Sequence, residues 1–281
     1  MKNRIVITGH TGLVGGSLIS SLKRRHVATG ISLSTGHDVS DFSSLDGALP
    51  DFDLLVHCAA SFAGDTPEGI AQNESVNSTG ALNACRLAAS SGCSRVILIS
   101  SISAIRHPDN EYFGSYALSK LHAEENSKLF CDASGMKLTV LRFSQIYDSA
   151  GVSAKHQPFL YQIIDKVTSG EKVYLHGDND PRRNYIFIDD VTEIINRFID
   201  TGIEGFFNCV HPQSHAISDI IAIAGQAASK APTVIRQREK ADIRNIFIPD
   251  YSLPYKEIGF EPAVDLAEGI KRIIGKKHEK I

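Results

Sequence analysis

The chain of 281 residues is poor in the features that mark special classes of protein. Its five cysteines, Cys58, Cys85, Cys93, Cys131 and Cys209, are odd in number and never stand as Cys-x-x-Cys. That pattern offers neither a disulfide framework nor a zinc site, so no metal is expected and a reducing compartment fits best. Long apolar runs are also missing: none reaches the ~20 residues a membrane-spanning helix requires. The N-terminus enters Arg4-Ile5-Val6-Ile7 without a signal-type apolar region, so the expectation is a cytoplasmic protein with no membrane partner. Charge of neither sign is in excess. A net charge of -3 and a pI near 6.4 leave no footprint for nucleic acid. The basic run Lys23-Arg24-Arg25 follows a helical apolar pattern and reads as cations at a helix C-terminus, where they are favoured.

What is present is a rhythm. With 42% hydrophobic and 22% charged residues, the chain has material for one large or two closely associated domains. Short apolar runs alternate with segments of helical period: Ile5-Val6-Ile7, a helix over 13–22, a strand over 27–31, and Leu54-Leu55-Val56. A helix over 71–90, a strand over 96–99, a helix over 116–130 and a strand over 138–141 follow. Unbroken apolar strands of this kind are those of a parallel sheet, because helices cover both of its faces. The predicted architecture is α/β: a Rossmann-type doubly wound parallel sheet over residues 1–147, then a smaller C-terminal α/β substrate lobe over 148–281. Strands near 173–175 and 186–188 and a helix over 217–228 belong to the later part, segments of which are free to return to the sheet.

Directly after the first strand stands Thr8-Gly9-His10-Thr11-Gly12-Leu13-Val14-Gly15, leading into an amphipathic helix. Glycines there permit a tight turn, let backbone approach a pyrophosphate, and aim the free N–H groups of a helix start at negative charge. The spacing is Gly-x-x-Gly-x-x-Gly, and no Gly-Lys-Ser/Thr follows, which disfavours a nucleoside-triphosphate loop. At the end of the second strand, Ile31-Ser32-Leu33-Ser34 lacks the carboxylate that holds the adenosine ribose of NAD. Its absence removes a charge that would repel a 2′-phosphate, which favours NADP over NAD while leaving both open. Asp38-Val39 lies where a carboxylate would meet adenine; a turn-forming aspartate explains the same residues.

Tyr116-Ala117-Leu118-Ser119-Lys120 opens a later helix. Four residues are one turn, so phenol and ammonium share a face, and a nearby cation draws a phenol down from its usual ~10 toward working pH. Ser100-Ser101 closes the preceding apolar strand, at the sheet edge where open α/β proteins bind ligands.

On these motifs the chain resembles the extended short-chain dehydrogenase/reductase family of nucleotide-sugar epimerases, dehydratases and reductases. The likeness also rests on His57-Cys58-Ala59-Ala60, on Asn77 in Val76-Asn77-Ser78-Thr79-Gly80, on Leu141 to Tyr147, and on Arg183 to Val191. It implies catalysis by Ser101, Tyr116 and Lys120. It implies a dinucleotide, NADP or NAD, held by Gly9, Thr11, Gly12, Leu13, Val14, Ser32, Asp38, Val39, Ala59, Ala60 and Asn77, with Tyr116 and Lys120. Ser103, Gln145 and Arg183 would face the substrate, Arg183 on its phosphates unless it pairs with Asp189 or Asp190. A homodimer is the family's usual state.

Departures narrow the reaction. Gln145 replaces the usual asparagine. The dehydratases carry Asp-Glu after the catalytic serine, but this chain has Ile102-Ser103, neither of which works as a carboxylate acid or base. Ser103 stands where a sugar-epimerising relative has cysteine, and Lys155 and His156 read as a solvated loop. Hydride exchange at one carbon is left, as a 4-epimerase or a keto-sugar reductase. The alternatives are a reductase of non-nucleotide ketones and a non-catalytic NAD(P) sensor.

Overall fold

The apolar runs become one parallel sheet. In the computed structural model, which describes residues 2–23 and 25–279, the first half supplies β1 (Arg4–Thr8), α1 (Leu13–Leu22), β2 (Val27–Ile31) and β3 (Leu54–His57). A long helical stretch follows, made of α2 (Pro67–Asn73), a π-helical segment (Glu74–Thr79) and α3 (Gly80–Ser90). Then come β4 (Arg95–Ser101), α4 (Ser115–Ser134), β5 (Lys137–Phe143) and β6 (Gln145–Tyr147). The second half contributes α5 (Pro158–Ser169), β7 (Val173–His176), β8 (Arg182–Arg183), β9 (Tyr185–Phe187), α6 (Ile188–Thr201) and β10 (Gly205–Cys209). It ends with β11 (His215–Ala216), α7 (Ile217–Ala228), β12 (Val234–Gln237), α8 (Ser252–Ile258) and α9 (Leu266–His278).

Six strands pair in the order β10-β5-β4-β3-β1-β2, and every pairing is parallel. This is the expected doubly wound Rossmann sheet. Side-chain alternation sends Ile5, Ile7, Leu54, Val56, Ile97 and Ile99 into one core and Val6, Leu55, Val96 and Leu98 into the other. Both faces are dry, which is why the strands read as unbroken apolar runs. The sixth strand, β10, is added after a long excursion: it pairs with β5, and α6 before it packs along α1. The segments on either side of it in sequence form three small two-stranded pairs, β6 with β9, β7 with β12 and β8 with β11.

Two local differences bear on the site. The helix expected over 71–90 begins at Pro67, where Thr66 accepts the Gly69 N–H, and it widens to a π turn over 74–79. Ser100 and Ser101 belong to β4 itself, bonded in register with Arg142 and Phe143. At the end of α1, Lys23 takes the cap position, Arg25 pairs with Asp200 on α6 at 2.5 Å, and Arg24 lies outside the described residues. No helix among the described residues is long and apolar enough to cross a membrane.

Candidate active site

The glycine turn is built by close approach. Gly9 has φ +66°, a left-handed conformation, and a Cβ there would lie 2.7 Å from the Ala59 backbone. A Cβ on Gly15 would stand 2.5 Å from the Gly9 carbonyl. The turn is therefore locked between α1 and the loop after β3, with the Gly9 N–H on Ile31 O at 2.8 Å. Gly12 is the N-cap of α1 and brings no side-chain cap, so the first-turn donors and the positive end of the helix are open to an anion. Thr11 is exposed in this turn, and Leu13 and Val14 are half-buried just inside the helix. Beneath them the Thr8 hydroxyl accepts the Cys58 and Ala59 N–H groups at 3.2 Å each and meets His57 Nδ1 at 2.9 Å. Burial, helped by the Lys120 charge, lowers His57 to about 3 and keeps it neutral. Ala60 ends the same run.

At the end of β2, Ser32 is buried and its hydroxyl meets that of Ser34 at 2.9 Å, in a tight turn over Leu33–Thr35. Asp38 serves its own turn: one carboxylate oxygen accepts the Ser40 N–H at 2.9 Å and the Ser40 hydroxyl at 2.7 Å. Val39 is buried and packs over Gly80, and its carbonyl accepts from Asn83 at 2.9 Å. The uncapped helix start and the glycine-lined turn fit a dinucleotide's pyrophosphate.

The π segment places Asn77 between two elements. Its Oδ1 accepts the Ser61 N–H at 2.7 Å, while its Nδ2 donates to Ser61 O at 3.0 Å and to Ser119 Oγ at 2.9 Å. One turn earlier, Asn73 repeats the device, accepting the Ala63 N–H at 3.0 Å and donating to Ser115 Oγ at 2.9 Å. Asp65 accepts the Ser115 N–H at 2.7 Å, a bond that holds its carboxyl below the usual range. The start of α4 is thus fastened at three points. Asn73 and Asp65 do not stand out in the sequence; the four-residue spacing from Asn73 to Asn77 is the signal that points to the first of them.

Tyr116 and Lys120 lie one turn apart on α4, beside Ser101 at the end of β4. Lys120 is 3% exposed and donates to Ile99 O at 2.6 Å. Burial lowers its ammonium to about 8, against the attraction of Glu124. Tyr116 departs from expectation: burial outweighs every attraction and pushes its phenol up to about 12, with only Ser101 pulling it down by hydrogen bonding. Ser101 Oγ also accepts from Ser103, from its N–H at 3.2 Å and its hydroxyl at 2.8 Å, which brings Ser103 into the same cluster. Behind it, Glu124 joins Ser100 at 2.5 Å to a paired Arg142. Over the Tyr116 ring lies Phe62, centroids 4.4 Å apart, with His156 edge-on to Phe62 at 5.8 Å.

Beyond β5, Gln145 on β6 donates to Gln157 at 2.9 Å. Arg183 is 3% exposed and donates to Arg182 O at 2.9 Å and Arg244 O at 2.7 Å, with Tyr112 under its guanidinium. Arg244, unanticipated from sequence, stands over the same ring. The aspartates considered as alternative partners of Arg183 are engaged elsewhere. Asp189 binds Arg272 at 3.1 Å, and Asp190 accepts the Ala263 and Val264 N–H groups at 3.0 Å each. Among the described residues no carboxylate forms a salt bridge with Arg183.

A parallel sheet with a glycine turn at its first helix and a Ser–Tyr–Lys cluster at its carboxyl edge defines the extended short-chain dehydrogenase/reductase class. Within that class, the chain belongs to the NAD dependent epimerase/dehydratase family, which it matches over residues 5–209. It is 23% identical to a putative UDP-glucose 4-epimerase of Methanocaldococcus jannaschii, over 96% of this chain and 97% of that one. It is 21% identical to the dTDP-4-dehydro-6-deoxyglucose reductase of Escherichia coli, over 97% of both. Its fold is shared with RMD from Pseudomonas aeruginosa, solved with NADPH, at a TM-score of 0.80 and 20% identity over 100% of both chains.

Proposed function

We propose that the chain is an NAD(P)-dependent enzyme that exchanges hydride at one carbon of a nucleotide-activated sugar, as a 4-epimerase or a 4-keto-sugar reductase. The observation that carries this reading is the hydrogen bond between Tyr116 and Ser101 at the end of β4, with Lys120 one turn along α4 reaching Ile99 O and its charge felt at His57 and Cys58. The buried guanidinium of Arg183, bonded to two carbonyls but to no carboxylate among the described residues, supports the phosphate end, since a buried cation without a counterion favours an anionic ligand.

When a ketone is reduced, the Tyr116 hydroxyl donates its proton to the carbonyl oxygen. When an alcohol is oxidised, the phenolate takes the proton back. Ser101 hydrogen-bonds the same oxygen, and Lys120, buried one turn along α4 with its Nζ on Ile99 O, would orient the ribose of a bound cofactor. A bound nicotinamide would supply or accept the hydride. Ile102 and Ser103 after Ser101 provide no carboxylate for removing water, which sets elimination aside. Ser32, without a carboxylate beside it, favours NADP.

The test is a thermal-shift screen of UDP-, GDP-, dTDP- and CDP-sugars with NAD and NADP, followed by turnover of whichever sugar stabilises the protein. Net cofactor consumption marks a reductase; interconversion without it marks an epimerase. Tyr116→Phe removes only the hydroxyl, so activity falls about 10²–10⁴-fold while cofactor affinity holds. Near-normal turnover in that variant overturns the assignment.

A further inference from the structure

Phe62 is a large apolar side chain left 57% exposed, yet its backbone is among the most firmly held in the site. Ser61 before it is bonded through both N–H and carbonyl to Asn77, and Ala63 after it gives its N–H to Asn73. Both asparagines are buried and cross-linked to α4 at Ser119 and Ser115. A loop pinned on both sides of an exposed phenyl ring is preorganised to present that ring. The ring lies on Tyr116, at 4.4 Å between centroids and tilted by 48°, while His156, from the segment after β6, meets it edge-on at 5.8 Å. The aromatic wall therefore joins the sheet half, through Phe62 and Tyr116, to the lobe half, through His156.

We infer that Phe62 is the floor of the sugar subsite, on which the C–H face of the pyranose stacks while its reacting carbon is presented to Tyr116, with His156 closing the edge. This rests on the nucleotide-sugar reading above and specifies its sugar end. Ligand sites combine aromatic lining with a few placed polar groups, and a pyranose offers an apolar C–H face while its hydroxyls point outward. The nucleotide end is served by other residues, so a nucleoside diphosphate alone leaves this ring uncovered.

The chain contains no tryptophan, so Phe62→Trp gives a single reporter at the wall. The probes are the nucleotide sugar with the largest thermal shift and its parent nucleoside diphosphate. Emission should change with the nucleotide sugar and stay flat with the nucleoside diphosphate at equal saturation. Phe62→Ala should raise KM about tenfold with kcat within about twofold, and Phe62→Tyr should restore KM, as an aromatic contact of ordinary strength requires. An equal emission response to both ligands, an unchanged KM, or a fall in kcat alone overturns the subsite; the last would make Phe62 a buttress for Tyr116. If no nucleotide sugar shifts the wild-type protein, the nucleotide-sugar reading itself falls, and this subsite with it.

Discussion

Lys120 is almost wholly buried, and burial moves its ammonium from 10.5 down to about 8, so at neutral pH the fold encloses a charge held at some cost. The folded chain releases this proton at lower pH than the unfolded chain does. Between about 8 and 10.5 the unfolded state therefore binds more protons, and this residue's contribution to stability rises with pH across that window. Below 8 the penalty is fully present. A displacement of this size corresponds to roughly 3–4 kcal/mol in full, of which about 2–3 kcal/mol falls between about pH 7 and about pH 10. Lys120→Met removes the titration, so the stability of wild type relative to the variant should improve by about that amount as pH rises from about 7 to about 10, measured by urea unfolding. A difference that stays constant over this range would show that Ile99 O and Glu124 compensate the burial completely. The four-residue spacing puts phenol and lysine one turn apart on α4, but the sign on the phenol did not follow from it. Desolvation of Tyr116 depends on how deeply α4 is seated, which no spacing reveals.

At the scale of elements, the glycine turn separates two roles that look alike in sequence. A Cβ on Gly15 would press against the Gly9 carbonyl at 2.5 Å, whereas Gly12 has an extended backbone and a Cβ there would meet only that carbonyl, at 3.3 Å. Gly15→Val should therefore destabilise the fold, and Gly12→Val should leave a folded protein whose added branch fills the pyrophosphate's place. Circular dichroism melts and calorimetry with NAD and NADP distinguish the two, and an undiminished affinity in folded Gly12→Val would refute the fingerprint assignment. The turn was readable because strand, glycines and helix are contiguous. The π segment was not: Asn73 and Asn77 sit in a continuous helical pattern, and the extra backbone width is set by bonds to Ser61, Ala63, Ser115 and Ser119 from other elements. Asp38 shows how a suggestive carboxylate can also serve its own turn, one of its oxygens accepting from Ser40 twice, the second reading the sequence allowed.

The whole molecule brings together groups that are distant in sequence. β10 reaches the sheet only after the chain has made β6 to α6, and its partner β5 ends about sixty residues earlier. Local periodicity therefore showed the first five sheet strands and said little of the sixth. Arg183 depends on the same long-range closure: β8 pairs with β11, the segment carrying Arg244 supplies a carbonyl to its guanidinium, and Tyr112 comes from the loop before α4. Sequence identified Arg183 but not that Arg244 and Tyr112 meet it. Asp189 and Asp190 are both engaged elsewhere, which leaves Arg183 without a carboxylate partner among the described residues and is why a phosphate is proposed for it. Arg183→Ala should raise KM for the nucleotide sugar by roughly 10–100-fold, since hydrogen bonds to charged groups contribute about 1.5–3 kcal/mol. Cofactor affinity should be unchanged, because the glycine turn lies on the sheet half. Arg183→Lys, which keeps the charge but loses the planar fork, should fall between the two, and separates loss of charge from loss of the backbone bonds to Arg182 and Arg244. Equal KM in all three proteins would mean that the buried guanidinium only braces the lobe, and would direct the search toward substrates without phosphate.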